Sequence, residues 1–179
     1  MLKREIMKLK NIKIESEHLL LIPIKQKYKE IIHQEFTDEI SLFMIPKPED
    51  DISGIEMFIE NSINGIDKGT NLQLVALDKN TLEFIGCVGL SHLHQNNPEL
   101  GLWIKKKAHG NSYGLESISS LINWARDNIN FEYLIYPVDE RNYASRRIPE
   151  KHNGKIYRQY KELNQKGFEL NTIEYRIYK

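Results

Sequence analysis

The chain has one cysteine among 179 residues, Cys87. A single thiol excludes an internal disulfide and a thiolate-rich zinc centre, and it suits the reducing cytoplasm. No stretch reaches the roughly 18 consecutive apolar residues of a membrane-spanning helix, so no membrane partner is expected. Proline and glycine, 6 and 10 residues, gather in no linker, and no repeat or low-complexity tract is present. One domain over residues 1–179 is therefore expected. Met1–Lys10 is charged and lacks the apolar centre of a secretory leader, which marks it as an ancillary or disordered segment. Neither sign of charge is in excess, with Lys+Arg 25 against Asp+Glu 25. A dedicated nucleic-acid binder needs a cationic surplus to meet phosphates, so no such partner is expected.

What is present is ordinary for a globular fold: 40% hydrophobic and 28% charged residues. His18–Ile24 reads as a short strand ending near Pro23. Tyr28, Ile31, Ile32 and Phe36 follow helical spacing, as do Ile52, Ile55, Phe58, Ile59 and Ile63. Asp38–Asp51, with Pro46 and Pro48, reads as a surface loop. From Leu72 the period shortens, giving strands at Leu72–Leu77 and Leu82–Leu90 around a turn at Asp78–Thr81, then a third strand at Glu99–Lys105. Leu115, Ile118, Ile122, Ala125 and Ile129 form one helical stripe. Phe131–Val138 is a strand and Asn142–His152 a short helix. Ile156–Leu163 and Phe168–Tyr178 close a hairpin about Asn164–Gly167. This order lacks strict βαβ alternation, so the expected fold is α+β in three α/β/α layers. Its mixed, mostly antiparallel sheet should hold about seven strands, flanked by about four helices.

The junction Leu102–Gly114 (LWIKKKAHGNSYG) carries the most chemistry. A strand passes through a short basic turn into the N-terminus of the long helix, where N–H groups lack partners and the dipole is positive. His109, Gly110, Ser112 and Gly114 have the sizes and placement to cradle a pyrophosphate, Asn111 and Tyr113 fall between them, and Lys105, Lys106 and Lys107 stand beside them.

These residues resemble motif A of the GNAT N-acetyltransferases, Gln/Arg-x-x-Gly-x-Gly/Ala, with His109, Ser112 and Gly114 at its defined positions. Glu99–Ile104 (ELGLWI) is similar to the strand that precedes the motif, and Asn142–Ser145 (NYAS) to the Asn-x-x-Ser that opens the next helix. Glu15–Pro23 (ESEHLLLIP) resembles the opening of the ribosomal-protein N-acetyltransferase branch. Three departures stand out. His109 replaces Gln or Arg, Ser112 replaces Gly, and Pro149 stands where many relatives carry a general-acid tyrosine.

The resemblance implies a sheet splayed in the middle, acetyl-CoA as co-substrate, no metal, and direct acetyl transfer to a primary amine. That amine would be a protein N-terminus or a small molecule, on an enzyme that is a monomer or homodimer. It places Glu99 beside the acyl group as general base and Ser145 as hydrogen donor to the departing thiolate. Backbone groups of Leu102, Trp103 and Ile104 would pair with the pantetheine arm, and Asn142 would bind that arm or cap the helix. The alternative is a non-catalytic acyl-CoA-binding or partner-binding module on the same fold. His92 and His94, spaced i, i+2, would share one strand face but have no third ligand nearby. Cys87 reads as an inert buried thiol. Tyr133, Tyr136, Tyr157, Tyr160, Tyr175 and Tyr178 either line an acceptor pocket or serve the strands they sit on.

Overall fold

The computed structural model describes residues 9–179, so most of the charged N-terminal segment lies outside the described residues. The elements follow the order of the sequence patterns. β1 (Ile14–Glu15) and β2 (Leu19–Pro23) lead into α1 (Lys29–Glu35) and α2 (Ser53–Lys68). β3 (Leu72–Asp78), β4 (Phe84–Ser91) and β5 (Glu99–Ile104) follow, then α3 (Tyr113–Asn128) and β6 (Tyr133–Asp139). α4 (Tyr143–Lys151) and the hairpin β7 (Lys155–Leu163) and β8 (Glu169–Tyr178) complete the fold. The eighth strand, β1, is two residues long and too short to show a period. α2 runs past Ile63 to Lys68, where Gly69 at φ 67 supplies the left-handed cap that stops it.

The strands form one sheet in the order β1-β2-β3-β4-β5-β6-β8-β7. Every pairing is antiparallel except β5 with β6, which is parallel and holds at one register pair, Glu99 with Ile135. Beyond that pair the two strands diverge, so the sheet is splayed in its middle. β3 and β4 are buried along nearly their whole length on both faces, which requires cover on both sides. The buried stripe of α3 (Ile118, Leu121, Ile122 and Ala125) lies in the same core as Leu74, Val88 and Leu100. No helix among the described residues is long and apolar enough to cross a membrane.

One sequence expectation is corrected here and another is met. β4 ends at Ser91, and His92 sits in a turn at φ 59, so His92 and His94 do not share a strand face. Their rings stand edge-on, 6.2 Å apart. Cys87 is buried in β4, and burial pushes its thiol well above the ordinary range, as expected of an inert side chain.

Candidate active site

The divergence of β5 from β6 opens a cleft of about 740 Å³, within the usual range of ligand sites. Its walls are β5, β6, the turn after β5, the starts of α3 and α4, the β7–β8 hairpin, and a loop that includes Phe43, Met44 and Ile45. Glu99 and the turn that follows Ile104 lie at opposite ends of β5, which is roughly 17 Å long at ~3.4 Å per residue.

At one end the chain leaves β5 through a 3₁₀ turn, Lys106–Ala108, and reverses at Gly110 (φ 83) and Ser112 (φ 60, ψ 12) before α3 begins. Left-handed residues of this kind turn successive amides toward a common anion. Within α3 the Glu116 N–H donates to the Ser112 carbonyl, so the amides ahead of it face the loop without helical partners. A Cβ on Gly114 would come within 3.2 Å of Leu102 and 3.6 Å of Ile148, so glycine keeps the helix start close to β5 and α4. The turn is knitted by its own side chains. His109 Nε2 lies 2.8 Å from the Ile104 carbonyl; a carbonyl only accepts, so this nitrogen carries the proton. The Asn111 amide donates to the carbonyls of Ala108 and His109, and Asn111 is not among the residues that line the cleft. Glu116 ties α3 to the turn between β1 and β2 by accepting from the Ser16 hydroxyl (2.6 Å) and from the His18 backbone N–H (2.7 Å). Burial pushes the Glu116 carboxyl up, but these donors outweigh it and hold it below its ordinary range.

Ser112 carries no side-chain cap bond that would offset its left-handed backbone. A non-glycine residue there costs about 1–2 kcal/mol, and glycine loses part of this through its freer unfolded chain. Ser112→Gly is therefore expected to raise stability by up to about 1 kcal/mol, read as a melting point higher by about 2–4 °C.

The basic run does not supply the cleft's positive charge. Lys105 is 6% exposed and pairs with Glu83, Lys106 pairs with Glu39, and none of the three lysines lines the cleft. The lysine and arginine side chains that do line it are Arg147 and Lys151 of α4. Their i, i+4 spacing places them on one helix face, a signal the sequence contained and the basic run obscured.

Along β5, the Ile135 N–H donates to the Pro98 carbonyl and the Lys105 N–H to the Ile85 carbonyl. Backbone groups alternate sides along a strand, so those of Leu102 and Ile104 face β6 and the cleft, while those of Trp103 face β4. The expectation for Trp103 is thus corrected: its backbone belongs to the β4 ladder. Its ring packs 5.1 Å from Phe36 and 5.7 Å from Phe84. Of the Ile104 groups, the carbonyl already accepts from His109.

At the other end Glu99 is half-buried and lines the cleft with Tyr160, Glu162 and Thr172. Burial raises its carboxyl above the ordinary range; His92 opposes this, and the negative charges of Glu162 and Glu174 add to it. A carboxylate held in this way is a better base than a free one. Glu162, which the sequence reading did not single out, accepts from the Thr172 hydroxyl.

Asn142 caps α4, its side-chain oxygen accepting from the Ser145 N–H at 3.2 Å. The preceding turn is set by Asp139, which is buried and bound by Arg141 through two contacts of 2.7 Å. The Ser145 hydroxyl lies 2.8 Å from that of Tyr136, and both residues line the cleft. Among the other tyrosines Tyr160 lines the cleft, whereas the Tyr133 ring packs at a tilt against Tyr178 and Tyr175 donates to Glu150.

Residues 18–155 match the sequence profile of the acetyltransferase (GNAT) domain. Comparison with curated protein sequences finds no match. Solved structures share the fold at low identity. A ribosomal-protein-S5-alanine acetyltransferase from Vibrio fischeri superposes with a TM-score of 0.81 at 17% identity, over 94% of this chain and 97% of that one. The acetyltransferase from Salmonella typhimurium that modifies the N-terminal serine of ribosomal protein L7/L12 gives 0.81 at 13%, over 94% and 99%. The ribosomal L7/L12 alpha-N-protein acetyltransferase RimL in complex with coenzyme A gives 0.82 at 14%, over 93% and 98%.

Proposed function

The chain belongs to the GNAT acetyltransferase family, and from that premise we propose that it transfers the acetyl group of acetyl-CoA directly to the N-terminal amine of a peptide or protein. One observation supports the reading: a single cleft joins the left-handed turn ahead of α3 and a half-buried carboxylate at opposite ends of a strand whose edge is open. The pyrophosphate would meet the amides around Gly110–Gly114, and the pantetheine arm would run beside Leu102. The acetyl thioester then reaches the Glu99 end. An alkylammonium has a pKa of ~10.4 and an α-amino group ~7.7–8, so the acceptor must lose a proton before it attacks. Glu99 takes that proton, directly or through water. The N–C bond forms, the C–S bond breaks with its electron pair on sulfur, and Ser145 donates a hydrogen bond to that sulfur. One ammonium and one thioester give an amide, a thiol and a proton.

The preference for a peptide N-terminus over a small amine rests on the neighbours of the same fold, two of which act on ribosomal protein L7/L12. The test is thiol release from acetyl-CoA with a panel of peptides and small amines. Peptide-dependent release is expected. Release with small amines alone would reassign the acceptor, and tight CoA binding without turnover on any amine would identify a binding module. Reversing the cleft cations in Arg147→Glu/Lys151→Glu is expected to raise KM for acetyl-CoA on the order of tenfold or more, corresponding to roughly 1.4 kcal/mol of binding. The effect should shrink at high salt, where exposed charges are screened.

A further inference from the structure

Many relatives use a tyrosine on the helix after the Asn-x-x-Ser motif, and here that position is Pro149, buried inside α4. The cleft nevertheless contains a tyrosine from another element. Tyr136 lies on β6, one residue beyond Ile135, which pairs with Glu99, so its place in the sheet is level with the proposed reaction centre. It is 3% exposed, and its hydroxyl has one hydrogen-bond partner among the described residues, Ser145 Oγ at 2.8 Å.

Either hydroxyl can donate in this pair, and burial favours the phenol as donor. A phenol O–H removed from water must donate to something, and Ser145 Oγ is the acceptor within reach. If serine donated instead, the phenolic hydrogen would find no partner among the described residues. Burial pushes the Tyr136 phenol up to about 12, with the Ser145 contact opposing, so it remains protonated at neutral pH. Ser145 thus accepts from Tyr136 with a lone pair and keeps its own hydrogen for another acceptor. Its backbone N–H is already committed to Asn142, which fixes the first turn that presents it.

We propose that Tyr136 is a positioning residue for acetyl transfer, holding the Ser145 hydroxyl as a donor aimed at the sulfur of the departing thiolate. This rests on the acetyltransferase reading above. No proton leaves Tyr136 in the reaction; its O–H removes the choice the serine rotor would otherwise have and strengthens the serine as a donor by polarising it.

A double-mutant cycle tests this in the full chain, using Tyr136→Phe, Ser145→Ala and the double variant with acetyl-CoA and the best acceptor found. Ser145→Ala is expected to lower kcat about tenfold or more, in line with the loss of a donor to developing charge. Tyr136→Phe should lower kcat several-fold with KM for acetyl-CoA unchanged, and the double variant should equal Ser145→Ala. A purely structural tyrosine would give losses that multiply, and that result overturns the inference, as does full activity in Tyr136→Phe. A wild type inert with every amine removes the acetyltransferase reading along with it. A wild type sensitive to Ser145→Ala but indifferent to Tyr136→Phe removes this inference alone. If Tyr136→Phe fails to fold, ¹³Cζ-tyrosine NMR of the otherwise unaltered chain decides. Ser145→Ala must shift the Tyr136 resonance and displace its titration, and an unmoved resonance overturns the proposal.

Discussion

Glu99→Gln is expected to lower kcat by about 10²–10³, within the range general bases contribute, and to leave KM for acetyl-CoA nearly unchanged. The side chain keeps its size and loses only its capacity to accept a proton. Glu99 sits on β5 at the end remote from the phosphate turn, so removing its charge does not touch the groups proposed to bind CoA. In the wild type, kcat/KM for the acceptor should fall as pH drops through the Glu99 pKa. That limb lies above the ordinary carboxylate range, because burial raises the group, as do the charges of Glu162 and Glu174. Glu99→Gln should abolish the limb. A variant with full turnover, or with the limb intact, would remove Glu99 as the base.

The same substitution should stabilise the fold, which separates lost chemistry from lost structure. The carboxyl is raised in the folded chain relative to the unfolded one. Below the unfolded value both states are protonated and nothing is lost. As pH rises through the folded value the unfolded chain has already released its proton, so native stability declines and then levels off. At neutral pH the wild type carries this cost in full, and glutamine does not. Glu99→Gln should therefore melt higher than wild type at pH 7 and equally near pH 3.

The element order was legible because hydrophobic period and turn residues act locally. Asp78–Thr81 turned where expected, with the Asp78 carboxylate accepting from the amides of Asn80 and Thr81. The strand–turn–helix junction after β5 was legible as a pattern, and the structure adds that Ser112 within it takes a left-handed backbone. What a sequence cannot show is which charges find partners across the fold. Lys105 and Lys106 sit beside the cradle in sequence, yet Glu83 and Glu39 neutralise them, while Arg147 and Lys151 reach the cleft from a helix further along the chain. Strand polarity was equally hidden. Only the pairing of β5 with β4 and β6 assigns the Trp103 backbone to the ladder and that of Leu102 to the cleft.

Gly86→Ala carries the largest expected effect on stability, and it reaches the cofactor site through the backbone alone. β3 pairs Ala76 with Gly86 and Leu77 with Phe84, leaving Ile85 as the extra residue of a bulge in β4. The added local twist brings β5 over Gly86, where a Cβ would stand 2.2 Å from the Trp103 carbonyl oxygen and 2.9 Å from Ile104 Cα. Both neighbours are backbone, so no rotamer change relieves the contact and the strands must part. Overpacking of this kind costs about 3 kcal/mol, or about 6–12 °C of melting point for a chain of this size. The displacement also has a direction. Ile104 closes β5, its carbonyl holds His109, and His109 anchors the turn that presents Gly110 and Ser112. Gly86→Ala should therefore raise KM for acetyl-CoA as well as lower the melting point, although the residue is not among those lining the cleft. Ala76→Gly, on the facing strand and likewise outside the cleft, is the control: it should lower stability with KM for acetyl-CoA unchanged. If Gly86→Ala lowers the melting point without changing KM, the turn does not take its position from the end of β5.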